Sequence, residues 1–219
     1  MRPLLKLCGN HSANDVKKSL QSTCEYIGFV FAKSKRQVTN EQVQLWLRQN
    51  PPNETKRLVA LFVNASIDEI EAAIFGLPID IIQCHGNESV NELKLIKEKI
   101  NKPIWKAIHH SDNSLDHMKS YAEVADGYVV DCKVGDQWGG TGVSFNWDYV
   151  PMYIEEGKRQ RVPVFIAGGI HYKNVDKLLP YNPDGIDVSS GIELNGEKST
   201  TLITQLEERM NRHESDISG

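Results

Sequence analysis

An α/β fold of the (β/α)8 TIM-barrel type, built as one domain over residues 1–219, is predicted by three observations. Short, near-continuous apolar runs recur along the chain, and each is followed by polar punctuation and then by apolar residues at helical spacing. The pattern occurs eight times. Near-continuous apolar strands alternating with amphipathic helices mean a parallel sheet covered by helices. The rival is an open doubly wound sheet, which for dinucleotide binding should carry G-x-G-x-x-G after an early strand. The first strand–helix turn here, CGNHSAND, lacks it.

The first run is LLKLCG (4–9), after which Ser12 with Asp15 reads as a capping box opening a helix. YIGFVFA (26–32) is followed by Thr39 with Gln42, and Val43, Trp46 and Leu47 then share one helical face. RLVALFV (57–63) leads to Ser66 with Glu69 and to Ile70, Ala73 and Ile74. IDIIQC (79–84) leads to Ser89 with Glu92, then Leu93, Ile96 and Ile100. PIWKAI (103–108) precedes a helix near 114–122, GYVVDC (127–132) one near 146–157, and PVFIAGG (163–169) one near 172–179. Last come GIDVSSG (185–191) and a helix holding Leu202, Ile203, Leu206 and Met210.

With 40% hydrophobic and 25% charged residues, the chain has the composition of an ordinary globular protein. Net charge is −4 and no basic block is present, so neither nucleic acid nor a membrane surface is expected as partner. The expected partner is a small molecule. The opening MRPLLKLCGN holds too short an apolar run for a signal peptide, and no run spans a bilayer, so a cytoplasmic location is expected. Cys8, Cys24, Cys84 and Cys132 form no C-x-x-C pair, which points away from a zinc site or a disulfide framework. No helix face carries a surplus of apolar residues, and a monomer is the default.

In a barrel, the C-terminal strand ends converge on one mouth, where the chemistry of this fold takes place. Those ends carry Cys8, the loop with Lys33, Lys35 and Arg36, then Asn64, Gln83 with His85, His109 with His110, and Asp131. The last two are Gly168-Gly169 and Ser189-Ser190-Gly191. A single Gly-Gly turn is ordinarily just a tight turn. Two glycine turns at neighbouring strand ends, one with paired serines, point to backbone N–H groups gathered around a phosphate.

Cys8 reads either as a small buried hydrophobe or, with Lys6 on the same side of its strand, as a thiolate acting as base or nucleophile. Asp131 at the edge of the core reads as a cap for the next loop or as a desolvated acid that can hold a proton near neutral pH. The cluster around Arg36 is either solvated or offers one guanidinium to clamp a carboxylate. Gln83 and His85 flank a strand end and could hydrogen-bond a ligand. A metal held by His85, His109 and Asp131 is conceivable, but no helical His pair supports it, and neither metal nor organic cofactor is expected.

Several of these segments together resemble the phosphoribosylanthranilate isomerase family, barrel enzymes of tryptophan biosynthesis. The resemblance rests on KLCG, GFVFAKSKRQV, IIQCHG, VVDCKVGDQWGGTGVSFNW, FIAGGI with Asn174-Val175, and GIDVSSGIE followed by NGEK, and it covers the whole chain in order. It implies that Cys8 is the general base, Asp131 the general acid and Arg36 the holder of the anthranilate carboxylate. The phosphate would fall to Gly168, Gly169, Ser189, Ser190 and Gly191, with Gly140 and Gly142 of the loop at 139–142. Gln83, His85 and Asp187 would line the pocket. Cys84 departs from the more usual leucine, which points to packing, and NGEKS departs from P-G-x-K-D, so that Lys198 matches, Ser199 does not, and a role for that loop is weakened.

The implied reaction is the Amadori rearrangement of N-(5-phosphoribosyl)anthranilate to 1-(2-carboxyphenylamino)-1-deoxyribulose 5-phosphate by general acid–base catalysis. One carboxyl group must be protonated while one thiol is ionised, so a bell-shaped dependence of rate on pH is expected. A barrel epimerase using metal and a non-catalytic phosphosugar binder are the other readings.

Overall fold

The computed structural model describes residues 2–131 and 146–218. Eight parallel strands follow one another around a closed barrel: β1 (Leu4–Leu7), β2 (Tyr26–Val30), β3 (Arg57–Phe62), β4 (Ile81–Cys84), β5 (Ile104–His109), β6 (Gly127–Asp131), β7 (Val164–Ile166) and β8 (Gly185–Val188). The seam closes where β8 pairs with β1, Leu4 facing Gly185 and Lys6 facing Asp187. The helices are α1 (Ala13–Gln21), α2 (Asn40–Gln49), α3 (Ile67–Ile74), α4 (Val90–Ile100), α5 (Ser114–Ser120), α6 (Val150–Gln160), α7 (Val175–Leu178) and α8 (Thr200–Ser218). A hairpin, β9 (Glu193–Leu194) with β10 (Glu197–Lys198), lies between β8 and α8. The barrel is therefore the fold the alternation predicts. No helix among the described residues is long and apolar enough to cross a membrane.

Three helices begin as expected. Thr39–Gln42, Ser66–Glu69 and Ser89–Glu92 are reciprocal capping boxes, each side chain satisfying the other residue's backbone N–H. Ser12–Asp15 is only half of one: Ser12 Oγ accepts from Asp15 N at 3.1 Å, but no return bond forms. The aspartate is a methylene shorter than glutamate, and its carboxylate turns elsewhere, accepting from His11 N at 3.3 Å and from Lys198 N at 2.8 Å. The helix expected near 146–157 starts later, after a 3-10 turn at Trp147–Tyr149, with Pro151 in its first turn, where no N–H is required. The one expected near 172–179 shrinks to Val175–Leu178 and tightens into a 3-10 turn at Leu179–Tyr181, with Pro180 inside it.

Alternation along each strand sorts side chains between two cores. Outward-facing Leu5, Leu7, Phe29, Phe62, Val130 and Ile166 pack against helix residues such as Val16, Val43, Ile70 and Leu206. Each such burial stabilises by about 1.5–3 kcal/mol. Inward-facing Val59, Ile81, Trp105, Val129, Phe165 and Ala167 form the second core, with Leu4 and Tyr26 against it. Tyr26, Trp105 and Phe165 plug the barrel, with ring centroids 4.7–5.2 Å apart. Two strand glycines make room for them. A Cβ at Gly127 would lie 2.5 Å from Trp105 Nε1, and one at Gly185 would lie 2.3 Å from Phe165 Cε1.

Two residues beyond Leu4, Ile81, Val129 and Gly185, the next inward positions are Lys6, Gln83, Asp131 and Asp187, all buried. The interior thus passes from an aromatic plug to polar and ionisable groups at the C-terminal mouth. Outside the barrel, Lys106 Nζ is buried on Gly86 O at 2.7 Å and Glu88 Oε2 at 2.9 Å, while Glu88 Oε1 accepts from Asn64 N and Gly86 N. That pair ties down the turn after β4, which carries His85.

Candidate active site

The strand ends open on a cavity of about 1200 Å3 whose walls include Cys8, Arg36, Asn64, His85, Asp131 and Asp187. Cys8 follows β1 and is 6% exposed. Gly28 of β2 leaves it space, since a Cβ there would lie 2.8 Å from its Sγ. Lys6, two residues earlier, donates to Asp187 Oδ2 at 2.8 Å. Burial works against the Lys6 ammonium, but Asp187 and Cys8 more than offset it and raise its pKa. Burial pushes the Cys8 thiol up, against the pull of Lys6, with Asp187 adding to the rise and Lys198 opposing it. The sequence leaves Cys8 open between a small buried hydrophobe and a stabilised thiolate. The balance raises the thiol's pKa, because desolvation exceeds what the two ammonium groups supply.

Across the mouth, Asp131 ends β6 with 3% exposure. Its Oδ2 is 3.4 Å from His85 Nε2. On the other side of that ring, Nδ1 is 2.9 Å from Gln83 Nε2, so an amide N–H donating to Nδ1 leaves the proton on Nε2, facing the carboxylate. Gln83 is fully buried on β4 and holds His85 rather than forming part of the cavity wall. His109 packs beside His85 with ring centroids 5.2 Å apart, and its Nε2 meets His85 O at 3.1 Å. Burial and the neighbouring His85 bring its pKa down to about 4. His110 turns away, its Nδ1 2.8 Å from the Tyr153 hydroxyl of α6. Among the described residues no group of three or more His, Cys, Asp and Glu side chains is placed to hold a metal ion.

Gly168 and Gly169 after β7 have φ of 86° and 63°, the left-handed region that suits glycine. Asn174 clamps the turn, donating to Gly169 O and accepting from His171 N, each at 2.9 Å. The next turn approaches it closely: a Cβ on Gly191 would lie 1.9 Å from Ile170 O. These two turns, with Ser189 and Ser190, form one side of the cavity. Successive backbone N–H groups in such turns make an anion-binding concavity. Cys132, Gly140 and Gly142 lie outside the described residues.

Arg36 enters from the loop after β2. Its stem lies against Gly9, where a Cβ would come within 2.4 Å of Arg36 Cδ. Its Nε and Nη2 donate to the two carboxylate oxygens of Glu193 at 2.6 and 2.8 Å. Glu193 Oε1 also accepts from Lys198 Nζ at 3.0 Å, and Lys198 Nζ further meets Ser189 O at 3.1 Å. The sequence left Lys198 with a weakened role and passed over Glu193. Only the hairpin that folds β10 back on β9 brings the lysine beneath the mouth, where burial lowers its pKa in spite of Glu193.

The cavity occupies the face on which barrels of this kind carry out chemistry, and the molecule is an enzyme of the (β/α)8-barrel class. Within that class its family is defined by sequence. Residues 5–209 match the family model described as N-(5'phosphoribosyl)anthranilate (PRA) isomerase, and the chain belongs to that family. It is 54% identical over 218 residues to the N-(5'-phosphoribosyl)anthranilate isomerase of Halalkalibacterium halodurans, covering 100% of both chains. To the enzyme of the same name from Geobacillus thermodenitrificans it is 52% identical, covering 95% of this chain and 94% of the relative. The fold matches the crystal structure of phosphoribosyl anthranilate isomerase from Thermotoga maritima with a TM-score of 0.81 at 24% identity, covering 96% of this chain and 99% of the other.

Both departures from the family pattern have local explanations. Cys84 is 1% exposed in the outer core, where burial pushes its thiol up to about 12. Ser199 takes a capping position, its Oγ accepting from Leu202 N at 3.4 Å at the start of α8.

Proposed function

We propose that the chain converts N-(5-phosphoribosyl)anthranilate to 1-(2-carboxyphenylamino)-1-deoxyribulose 5-phosphate, the isomerase step of tryptophan biosynthesis, with Asp131 as acid and Cys8 as base. The observation that carries this reading is the placement of the Asp131 carboxyl group at the end of β6 and the buried Cys8 thiol just after β1 in the walls of a single cavity.

Asp131 protonates the furanose ring oxygen. The C1–O bond breaks as the anilino nitrogen lone pair forms the C1=N iminium. The thiolate form of Cys8, a minority where burial raises its pKa, then takes the proton from C2, and the released electron pair forms C1=C2 and neutralises the iminium. The resulting enolamine loses its C2 hydroxyl proton and gains one at C1, giving the ketone. His85, held by Gln83, stands beside the acid. Lys6 and Lys198 favour the thiolate electrostatically, with Asp187 fixing Lys6.

The glycine turns at Gly168-Gly169 and Ser189-Ser190-Gly191, with Gly140 and Gly142, would hold the phosphate, and Arg36 the ring carboxylate. Binding energy from both ends of the substrate orients the sugar between acid and base. The test is loss of anthranilate fluorescence on adding the protein to freshly generated N-(5-phosphoribosyl)anthranilate. Turnover faster than the spontaneous decay supports the reading. An unchanged decay with the substrate bound would leave a phosphosugar binder.

A further inference from the structure

The Arg36 guanidinium has five N–H donors, of which Glu193 engages those on the Nε–Nη2 edge. Among the described residues, the hydrogen bonds of the guanidinium are those of Nε and Nη2, and Arg36 remains in the cavity wall. Glu193 is itself pinned by Lys198, and the three side chains are 9%, 7% and 0% exposed for Arg36, Glu193 and Lys198. Two buried basic side chains therefore share one buried carboxylate. The always-charged guanidinium of Arg36 thus shares its carboxylate with a second basic group, and its remaining edge can be met by a substrate carboxylate.

From this geometry, and resting on the reading of Arg36 given above, we propose that Glu193 is a positioning residue that sets specificity for the substrate carboxylate. Anchored on Lys198, it grips one edge of Arg36 and leaves the Nη1 end for the acid group of the anthranilate ring. Lys198 carries the anchor deeper: its backbone N–H donates to Asp15 of α1 and its carbonyl accepts from Lys18 Nζ at 2.6 Å. The hairpin that forms β9 and β10 thereby holds the carboxylate subsite in place from outside the barrel. Burial opposes ionisation of Glu193, yet the bonds from Arg36 and the charge of Lys198 outweigh it and keep its carboxyl group below the usual range.

The alternative use of the same contact is competition, with Glu193 occupying Arg36 until substrate displaces it. The two differ in sign. Binding is measured by calorimetry with the ribitol-reduced form of the product and with the same compound lacking its ring carboxylate, for wild type, E193Q, E193D and R36A. Positioning predicts that E193Q weakens the carboxylate-bearing ligand about 10- to 50-fold, the loss of a charge-assisted contact, while the carboxylate-free ligand changes less than about twofold. In turnover the loss falls on KM more than on kcat, and E193D, which keeps the charge but shortens the reach, lies between. If E193Q does not fold, as a melting curve would reveal, E193D alone must show the same selective weakening.

Tighter binding of the carboxylate-bearing ligand by E193Q would overturn positioning in favour of competition. Equal weakening of both ligands would reduce Glu193 to a structural role. If R36A weakens both ligands equally and so keeps the wild-type preference for the carboxylate-bearing one, the error lies in assigning Arg36 to the carboxylate. Discrimination lost in R36A but kept in both Glu193 variants refutes the positioning role alone.

Discussion

Lys6 donates to Asp187 across the seam of the barrel, Nζ to Oδ2 at 2.8 Å, joining the first strand to the last. One contact thus serves fold and site together. It pairs two charges that the interior would otherwise reject, and it holds an ammonium beside the Cys8 thiol. Lys6→Met leaves Asp187 buried without its partner, and removal of one member of such a pair costs about 3–5 kcal/mol. It also removes a charge favouring the thiolate, so alkylation of Cys8 should shift to higher pH. A denaturant titration and the pH dependence of alkylation check both effects. Stability and reactivity equal to wild type would show that the pair contributes to neither.

His109 supplies a pH dependence of definite sign. Burial and His85 hold its pKa near 4, below the ordinary value of 6.5. Between those values the unfolded chain binds the proton and the folded chain does not, so stability falls as pH drops from about 6.5 towards 4. His109→Asn should flatten that part of the curve, as followed by thermal melting between pH 4 and 7. An unaltered slope would assign the acid sensitivity to other groups.

At the turn proposed to hold the phosphate, Gly168 has φ of 86°. A Cβ in left-handed backbone costs about 1–2 kcal/mol, and relief of that strain moves the turn's N–H groups. Gly168→Ala should therefore weaken competitive inhibition by inorganic phosphate and raise KM with a smaller change in kcat. Unchanged phosphate inhibition would separate this turn from the anion.

The barrel was legible because its determinants are local. Each strand announces itself by an apolar run, and three helices by Ser or Thr followed three residues later by Glu or Gln. Asp15 misled in detail, since its short side chain serves Lys198 rather than the cap. Cys8, Asp131 and the glycine turns could be named because strand ends in a barrel face one mouth. Their surroundings could not. The Lys6–Asp187 pair spans 181 positions, and Arg36 and Glu193 lie 157 apart. Such contacts exist only after the barrel closes and the hairpin folds, and their only trace beforehand is an isolated acid shortly after a glycine turn. Desolvation at Cys8 was hidden for the same reason, because it depends on what packs around the thiol.

The proposed division of labour between Asp131 as acid and Cys8 as base is tested most directly by single-turnover kinetics, following anthranilate fluorescence, for Asp131→Asn and Cys8→Ser against wild type. Both substitutions are close in size to the original side chains, so folding and phosphate binding serve as controls. Each variant should bind substrate and lose at least about 100-fold in the chemical step, the scale of general acid or base catalysis. Near-native turnover by either variant would contradict the acid–base pair.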